Sequence, residues 1–535
     1  MDALICRIKE YIQPFERRLA LEELRALSGG TIVPMDGDDA TASTFSVFHV
    51  NDAATLRRSL AYWRSIGDPT DGLTTQLRAE ATLEISRNGA AWSITEFAET
   101  VRQMIPLKLP NKRCLRYATH GLHEYRGKFF PQLVRALMNI ARLPEDAVVL
   151  DPMCGSGTTL VEARLSGRRC YGLDMNPLSV FVTDVKCEAL SLDPEALTAA
   201  YSKLQKILDM PVSPVSRRRI FISMNNDDQA YLERWFAPRV LKELDRIEEA
   251  IQRLSTKRLQ NFYRVCMSNI LRRVSWQKND DLRVRRQETE IETGETVARF
   301  LQEAARSTKA VAAFLAERGR IGMGRHRVYE ADARRVKKVL SKIAGKVDAV
   351  ITSPPYATAL PYIDTDRLSL IRLGLLPRDE HRPRDTLMIG NREVTPRNRT
   401  EYWEFYKANK SLLPQGLCAL IERIEHLNKP GEVGFRRRNL AALLSKYFFD
   451  MREVMQQTFA LLRPGGVMFL VVGNNQTTAG GRSVDIRTAD HLAEIATGLG
   501  FQASDSMAMD MLVSRDIFRK NAVPSEWIVR LEKPQ

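Results

Sequence analysis

The feature that most constrains the fold is a glycine-containing turn between an apolar strand and a helix. Val148–Asp151 forms the strand, and Asp-Pro-Met-Cys-Gly-Ser-Gly-Thr-Thr leads from it into a helix predicted over 160–166. Glycines at such a turn let the backbone approach a ligand closely. A second apolar strand, predicted over 170–173, ends in Asp174, 23 residues after Asp151. An acidic residue at about this spacing binds ribose hydroxyls in dinucleotide-type folds.

This turn also limits the class of ligand. A phosphate-binding P-loop carries a lysine directly after its last glycine, and here Gly157 is followed by threonine. The sequence therefore favours a nucleoside over a nucleotide polyphosphate. The alternation of strands and helices predicts a parallel α/β sheet, with one reversed strand near its end.

A second constraint is Thr-Ser-Pro-Pro-Tyr at 352–356, which follows a strand predicted over 347–352. Proline has a fixed φ and no N–H, so two prolines end the strand and hold the preceding carbonyl groups in a rigid turn. Ser353 supplies a hydroxyl and Tyr356 an aromatic face. These groups suit a planar ring with an exocyclic amino group. A proline turn without a catalytic role has the same composition, so this segment alone leaves both interpretations open.

A third segment, 120–133, reads His-Gly-Leu-His-Glu-Tyr-Arg-Gly-Lys-Phe-Phe-Pro-Gln-Leu. Together with the glycine turn and Ser-Pro-Pro-Tyr, in this order, it resembles the motifs of the S-adenosylmethionine-dependent DNA amino-methyltransferases. The resemblance covers about 115–190 and 325–376, and more weakly the strands after 445. It implies an α/β fold: a Rossmann-like methyltransferase sheet with helices on both faces, interrupted by a large helical insertion and a smaller basic insertion.

The resemblance also implies a cofactor, S-adenosyl-L-methionine, and roles for individual residues. The implied catalytic residues are Ser353, Pro354, Pro355 and Tyr356. The implied cofactor-binding residues are Lys128, Phe129, Asp151, Pro152, Cys154, Gly155, Ser156, Gly157, Thr158, Asp174, Met175 and Asp332. No metal site is expected, because the seven cysteines show no paired metal-ligand spacing.

The Ser-Pro-Pro-Tyr form is typical of cytosine-N4 enzymes, so methylation of the cytosine amino group in DNA is the main hypothesis. Three alternatives stay open: adenine-N6 methylation of DNA, an RNA amino-methyltransferase, and a DNA-binding defence subunit without catalysis. The intact motif residues argue against the last. Carbon-5 methylation is not expected, because that family carries its cysteine nucleophile in a Pro-Cys dipeptide, which this chain lacks.

The charge of the chain indicates its partner. The net charge is +15 and the pI is about 9.5, which favours a polyanion. With a pocket suited to a base, the expected partner is double-stranded DNA with a flipped target base, and a restriction endonuclease or defence-system partner is a further expectation. The sequence shows no apolar run of membrane-spanning length and no signal peptide, so we expect a cytoplasmic protein without a membrane partner.

Shifts in pattern along the chain predict six segments. They are an N-terminal accessory region (1–115), the cofactor half of the methyltransferase core (116–191), a helical basic insertion (192–320), the catalytic half (321–376), a candidate target-recognition insertion (377–440) and the C-terminal strands (441–535).

Local patterns within these segments give further expectations. The N-terminal region is predicted to have helices over 3–27 and 53–65. The 192–320 insertion interleaves arginines with aromatic residues, which suits phosphate contacts and base stacking, although a helical domain with solvated arginines and core tryptophans has the same pattern. The 377–440 insertion is predicted to be irregular, and its arginines suit guanine recognition in the major groove.

Overall fold

The computed structural model describes residues 3–50, 52–88, 99, 101–105, 108–125, 130–210, 224–278, 285–319, 322–357, 362–392, 394–428, 434–504, 506–510 and 525–535. The strands are β1 (Leu4–Ile8), β2 (Thr31–Pro34), β3 (Thr44–Phe48), β4 (Trp63–Ile66), β5 (Val148–Asp151), β6 (Arg169–Asp174), β7 (His326–Glu330), β8 (Val347–Thr352), β9 (Leu462–Gly473), β10 (Asn475–Ala479), β11 (Arg482–Ile486), β12 (Gln502–Ala503), β13 (Met507–Asp510) and β14 (Ser525–Glu532).

The helices follow in the same way along the described chain. They are α1 (Pro14–Ser28), α2 (Ala53–Ser59), α3 (Thr75–Asn88), α4 (Pro131–Ile140), α5 (Thr158–Leu165), α6 (Pro177–Ala189), α7 (Pro194–Asp209), α8 (Asn226–Glu233), α9 (Pro238–Gln252), α10 (Lys257–Leu271), α11 (Glu295–Arg318), α12 (Val336–Val339), α13 (Tyr362–Arg372), α14 (Arg378–Leu387), α15 (Pro396–Asn409), α16 (Gln415–Asn428), α17 (Phe435–Leu461) and α18 (Thr488–Gly498). Within these ranges, none is both long enough and apolar enough to cross a membrane.

The main sheet has eight strands in the order β7-β6-β5-β8-β9-β14, with β12 and β13 both paired to the free edge of β14. The strands from β7 to β9 are parallel, and β14 runs antiparallel to β9. This arrangement confirms the predicted α/β sheet with a reversed strand near its end. The chain leaves β5 towards β6 and later returns on the other side of β5 as β8, so a ligand crevice is expected between the carboxyl ends of β5 and β8.

The central strands are apolar on both faces because helices cover both. In β8, Ala349 and Ile351 pack into one core with α4, α5 and α6, whereas Val350 packs into the opposite core with α17 and α18. Strands buried on both faces carry continuous apolar runs. The predicted strands over 170–173 and 347–352 are found as β6 and β8.

The N-terminal region differs from its prediction. A helix was predicted over 3–27, but Leu4–Ile8 is the strand β1, which lies between β3 and β4 in a four-stranded antiparallel sheet. The helix predicted over 53–65 likewise ends at Ser59, and Trp63–Ile66 is the strand β4. Both helix predictions were wrong here because pairing with distant strands outweighs local helix propensity. Trp63 is also held by its indole N–H, which donates to Ala20 O at 3.1 Å.

The described part of the 192–320 insertion consists of the helices α7 to α11, and some of its aromatic residues are not available for base stacking. Tyr263 is fully buried, and its hydroxyl is 2.9 Å from Leu197 O and 3.0 Å from Thr308 Oγ1. Trp235 packs against the buried Arg367 guanidinium at 4.4 Å. Trp276 remains partly exposed, with Arg286 over its ring at 4.7 Å.

The 377–440 insertion is not irregular, because its described residues form the helices α14, α15 and α16. The apolar face of α16, formed by Leu417, Ile421 and Ile424, is buried against α17. The arginines of this segment therefore belong to packed helices.

Candidate active site

The glycine turn after β5 is held in place by Asp174 at the end of β6. The Gly155 N–H donates to Asp174 Oδ2 at 2.9 Å, and the Asn176 N–H donates to Oδ1 at 2.8 Å. Gly157, the residue before α5, has a φ of 81°, and a Cβ there would lie 2.6 Å from Thr183 Cγ2. The turn therefore needs glycine for conformation and for space.

Two carboxyl groups at this turn have pKa values above their usual range. Asp151 is 1% exposed, and its Oδ1 accepts the Met153 N–H at 3.2 Å. Burial raises the pKa of Asp151 to about 6 and that of Asp174 to about 6, although backbone N–H groups partly oppose the effect at each site. Both groups are consequently ionised only above about pH 6.

The proline turn after β8 opens into the same cavity as the glycine turn, because β8 is the direct neighbour of β5. The free space in the cavity, including the solvent-filled mouth, is about 750 Å³. It is lined by Tyr125, Pro152, Met153, Cys154, Gly155, Ser156, Thr158, Asp174, Met175, Ala331, Asp332, Ala333, Ser353, Pro355, Tyr362, Met388 and Ile389.

The structure thus brings together most of the sequence-predicted site residues. Of the remainder, Asp151 and Gly157 belong to the turn itself but do not line the cavity, and Pro354 is buried beside it. Tyr356 does not line the cavity either, and its hydroxyl donates a hydrogen bond to Glu526 Oε1. Lys128 and Phe129 lie outside the described residues.

Asp332 lines the cavity, but Arg334 already binds its carboxylate. Arg334 Nη2 donates to Oδ2 at 2.7 Å, and Nε donates to Oδ1 at 2.9 Å. Burial opposes ionisation of Asp332, but the Arg334 guanidinium outweighs it and keeps the pKa of this carboxyl below its usual range. Asp332 is therefore an acceptor fixed in its ionised form, as a partner for an adenine amino group requires.

Several cavity residues were not predicted from the sequence. Tyr125 lies within the 120–133 segment, and a Cβ at Gly155 would be 3.1 Å from its ring. Tyr362 begins α13, directly after the proline-turn loop. Met388 and Ile389 come from the 377–440 insertion and line the same cavity as Asp332. Nothing in the local pattern of the last two residues indicates this position.

His120 of the 120–133 segment lies in a buried hydrogen-bonded cluster. His120 Nε2 lies 2.8 Å from Glu162 Oε1, Tyr117 donates to the same carboxylate at 2.6 Å, and Arg135 donates to Oε2 at 2.8 Å. Burial disfavours the charged form of Glu162, but Arg135 and His120 outweigh it and lower its pKa to about 2. This buried cluster joins the segment to α5 and lies apart from the cavity lining.

The cavity fits S-adenosyl-L-methionine by its donor set. Asp174 offers carboxylate oxygens for ribose hydroxyls, and Asp332 offers acceptors beside the apolar Met388 and Ile389, as an adenine ring needs. The Ser156 hydroxyl is buried and, among the described residues, has no hydrogen-bond partner, which leaves it for a ligand.

Comparison with known proteins gives the class of protein. The family model of UPF0020, the RMKL-like methyltransferase domain, matches residues 122–230. Type II methyltransferase M.MvaI from Kocuria varians is 24% identical over 373 residues, which are 66% of this chain and 77% of the relative.

Two further matches are shorter or weaker. A tRNA (guanine(10)-N2)-dimethyltransferase from Methanocaldococcus jannaschii is 46% identical over 50 residues, covering 9% of this chain and 14% of the relative. The solved structure of TrmN from Thermus thermophilus is 12% identical and covers 99% of both chains with a TM-score of 0.32. The order of strands in the sheet, and not the similarity to TrmN, defines the fold.

The motifs, the sheet order and the longer match make the chain similar to the S-adenosylmethionine-dependent DNA methyltransferases. The protein is a methyltransferase, and its cofactor is S-adenosyl-L-methionine, as the sequence predicts.

Proposed function

We propose that this enzyme transfers a methyl group from S-adenosyl-L-methionine to the N4 amino group of cytosine in DNA. One observation supports the proposal above all others: Ser353 and Pro355 line the same cavity as Gly155 and Asp174. A turn that can accept hydrogen bonds from a base amino group therefore opens directly onto the cofactor-binding residues.

The bound cofactor supplies an electrophilic methyl group on a sulfonium centre. The lone pair of a base amino group is delocalised into its ring, so the nitrogen is a poor nucleophile. The Ser353 hydroxyl and the Pro354 carbonyl are the acceptors for its two N–H groups, and they favour a pyramidal nitrogen whose lone pair faces the cavity. In the transfer, the N–C bond would form as the C–S bond of the cofactor breaks, and the amino nitrogen would then lose one proton to water. The contribution of these residues is positioning and electrostatics.

The proline turn is held rigidly for this role. Asn475, at the start of β10, donates through Nδ2 to Ala357 O at 3.2 Å, and Tyr356 is bound to Glu526. These contacts fix the end of the turn, and the pairing of Thr352 with Leu470 of β9 fixes its start. The ring of Tyr356 is therefore a stationary platform on which a flipped base can stack.

Double-stranded DNA is the substrate we propose, because the chain carries a net charge of +15 and its long match is to a type II methyltransferase. A restriction endonuclease as functional partner and a cytoplasmic location belong to the same proposal. Because a short match is to a tRNA methyltransferase, RNA is the alternative substrate that the experiment compares with DNA.

The test is to incubate the full chain with tritiated S-adenosyl-L-methionine and unmethylated mixed-sequence duplex DNA, and separately with total tRNA, and to identify the labelled nucleoside. Label in N4-methylcytosine supports the proposal. Label in N6-methyladenine overturns the choice of base, and label in tRNA alone overturns the choice of nucleic acid. Ser353→Ala is expected to abolish most labelling, whereas Ser341→Ala, an exposed serine before β8, is the matched control and keeps it.

A further inference from the structure

Glu526 stands at the catalytic edge of the sheet, although it is distant in sequence from every motif. It lies at the start of β14, which runs antiparallel to β9, so the start of β14 meets the carboxyl ends of the parallel strands. Glu526 is paired with Gly473, the last residue of β9. The carboxyl group therefore lies at the edge of the sheet where the Ser-Pro-Pro-Tyr turn follows β8, and it contacts Tyr356 of that turn.

Among the described residues, one carboxylate oxygen of Glu526 accepts a hydrogen bond and the other has no hydrogen-bond partner. Tyr356 donates its hydroxyl proton to Oε1. Among the residues that the structure describes, none is hydrogen-bonded to Oε2. The residues paired with Glu526 on the two flanking strands are Gly473 and Met509, which carry no charge, so Tyr356 is the described titratable group that faces it.

These surroundings make the carboxyl group easier to protonate than that of an exposed glutamate. Burial raises the pKa of Glu526, and the hydrogen bond from Tyr356 only partly opposes the effect. Burial and the neighbouring Glu526 also raise the pKa of Tyr356, so the tyrosine remains a neutral donor. A protonated carboxyl group accepts a hydrogen bond at one oxygen and donates from the other.

We propose that Glu526 contacts the target base, with Oε1 bound to Tyr356 and Oε2–H donating a hydrogen bond to the ring nitrogen next to the exocyclic amino group. The inference rests on the proposed function and deepens it, because it adds a residue that reads the Watson–Crick edge of the flipped base.

The donor and acceptor pattern of the base supports this assignment. The Ser353 hydroxyl and the Pro354 carbonyl accept from the amino group, so the adjacent ring nitrogen, which is an acceptor, needs a donor. The Tyr356 hydroxyl is committed to Glu526. The acid form of Glu526 supplies the missing donor at the same edge of the sheet, and a buried polar edge of the base left unpaired would cost affinity.

Two substitutions separate the donor role from the other properties of the side chain. In Glu526→Gln, the amide oxygen still accepts from Tyr356 and the amide N–H still donates, so methylation of mixed-sequence duplex DNA is expected to stay within about threefold of wild type. Glu526→Leu has a similar size but no donor, and kcat/KM for DNA is expected to fall at least about tenfold. A Gln variant as inactive as the Leu variant overturns the inference.

The pH profile gives a readout that a purely structural role would not move. The acid form is the active one, so the wild-type kcat at saturating cofactor is expected to fall as the pH rises through the pKa of Glu526 in the complex. Glu526→Gln has no proton to lose and is expected to remove this decline. An unchanged high-pH limb in the Gln variant contradicts the proposal.

A cycle with Tyr356→Phe tests whether Glu526 acts only by positioning the tyrosine. If it did, Glu526→Leu would cause no further loss in a Tyr356→Phe background, whereas a base contact predicts a further loss of about tenfold or more.

Glu532→Leu, at the other end of β14, is the matched control and keeps full activity. Unchanged cofactor binding by each variant shows that the fold is intact. If the wild type fails to methylate DNA at all, it is the proposed function that falls.

Discussion

At the scale of single residues, the proposed function gives Asp174 a binding role beside its structural one. Its carboxylate receives the N–H groups of Gly155 and Asn176, and it also lines the cofactor cavity. The backbone contacts hold the glycine turn open, so the same side chain shapes the site and offers acceptors to the cofactor ribose. The raised pKa makes this double role dependent on pH.

Cofactor affinity is expected to weaken below about pH 6. Burial raises the pKa of Asp174 to about 6, and only the ionised form offers its full set of acceptors. The affinity is therefore complete above this pKa and is lost as the pH falls through it, with the dissociation constant rising up to about tenfold per pH unit. Titration calorimetry with S-adenosyl-L-methionine between pH 5 and 8 measures the effect.

Asp174→Asn is expected to weaken binding about 10- to 100-fold at pH 8, since a hydrogen bond to a charged group contributes about 1.5–3 kcal/mol. It is also expected to flatten the pH dependence. Asp227→Asn, an exposed aspartate in the first turn of α8, serves as the control. If the acid limb persists in Asp174→Asn, the titrating group is Asp151, whose pKa burial also raises to about 6.

At the scale of elements, the glycines of the β5–α5 unit offer a matched pair of substitutions. Gly157 and Gly167 have nearly the same φ, 81° and 80°. A Cβ at Gly157 would lie 2.6 Å from Thr183 Cγ2, whereas a Cβ at Gly167 would have no heavy atom within 4 Å. The two positions therefore share the backbone strain and differ in space.

Gly167→Ala is expected to cost about 1–2 kcal/mol in the free energy of unfolding, the strain of a left-handed residue. Gly157→Ala carries the same strain and displaces α6 as well, so a larger cost, of about 3 kcal/mol or more, and weaker cofactor binding are expected. Denaturant unfolding and calorimetry of both variants test this expectation. Equal losses in the two variants would show that the contact with Thr183 relaxes without cost.

The same elements show why part of the fold was readable in the sequence. β5, β6 and β8 are buried parallel strands that end in turns built from glycine or proline, so apolar runs and turn residues mark them locally. β1 and β4 are short, and their pairing with distant strands outweighed a helix-like pattern. Met388 and Ile389 reach the cavity, and Glu526 reaches Tyr356, through tertiary contacts, which no local spacing encodes.

At the scale of the whole molecule, a buried ion pair joins the helical insertion to the catalytic half of the sheet. Arg372, at the end of α13, donates through Nη2 to Asp245 Oδ1 of α9 at 2.8 Å. The side chains are 1% and 6% exposed. Burial lowers the pKa of Arg372, and Asp245 opposes that effect. Because α13 follows the catalytic turn, this pair connects the stability of the insertion to the position of the active site.

Arg372→Met is expected to lower the free energy of unfolding by about 3–5 kcal/mol, because it removes the cation that offsets the buried charge of Asp245. Arg372→Met combined with Asp245→Leu is expected to recover most of this loss, since an apolar pair of similar volume often replaces a buried ion pair without cost. Thermal and urea unfolding of the full chain measure the stability of both variants. Arg397→Met, which breaks an exposed ion pair with Glu401, is the control and is expected to leave the Tm unchanged. A double variant as unstable as the single one would mean that the geometry of the pair, rather than the balance of charge, holds the insertion against the catalytic half.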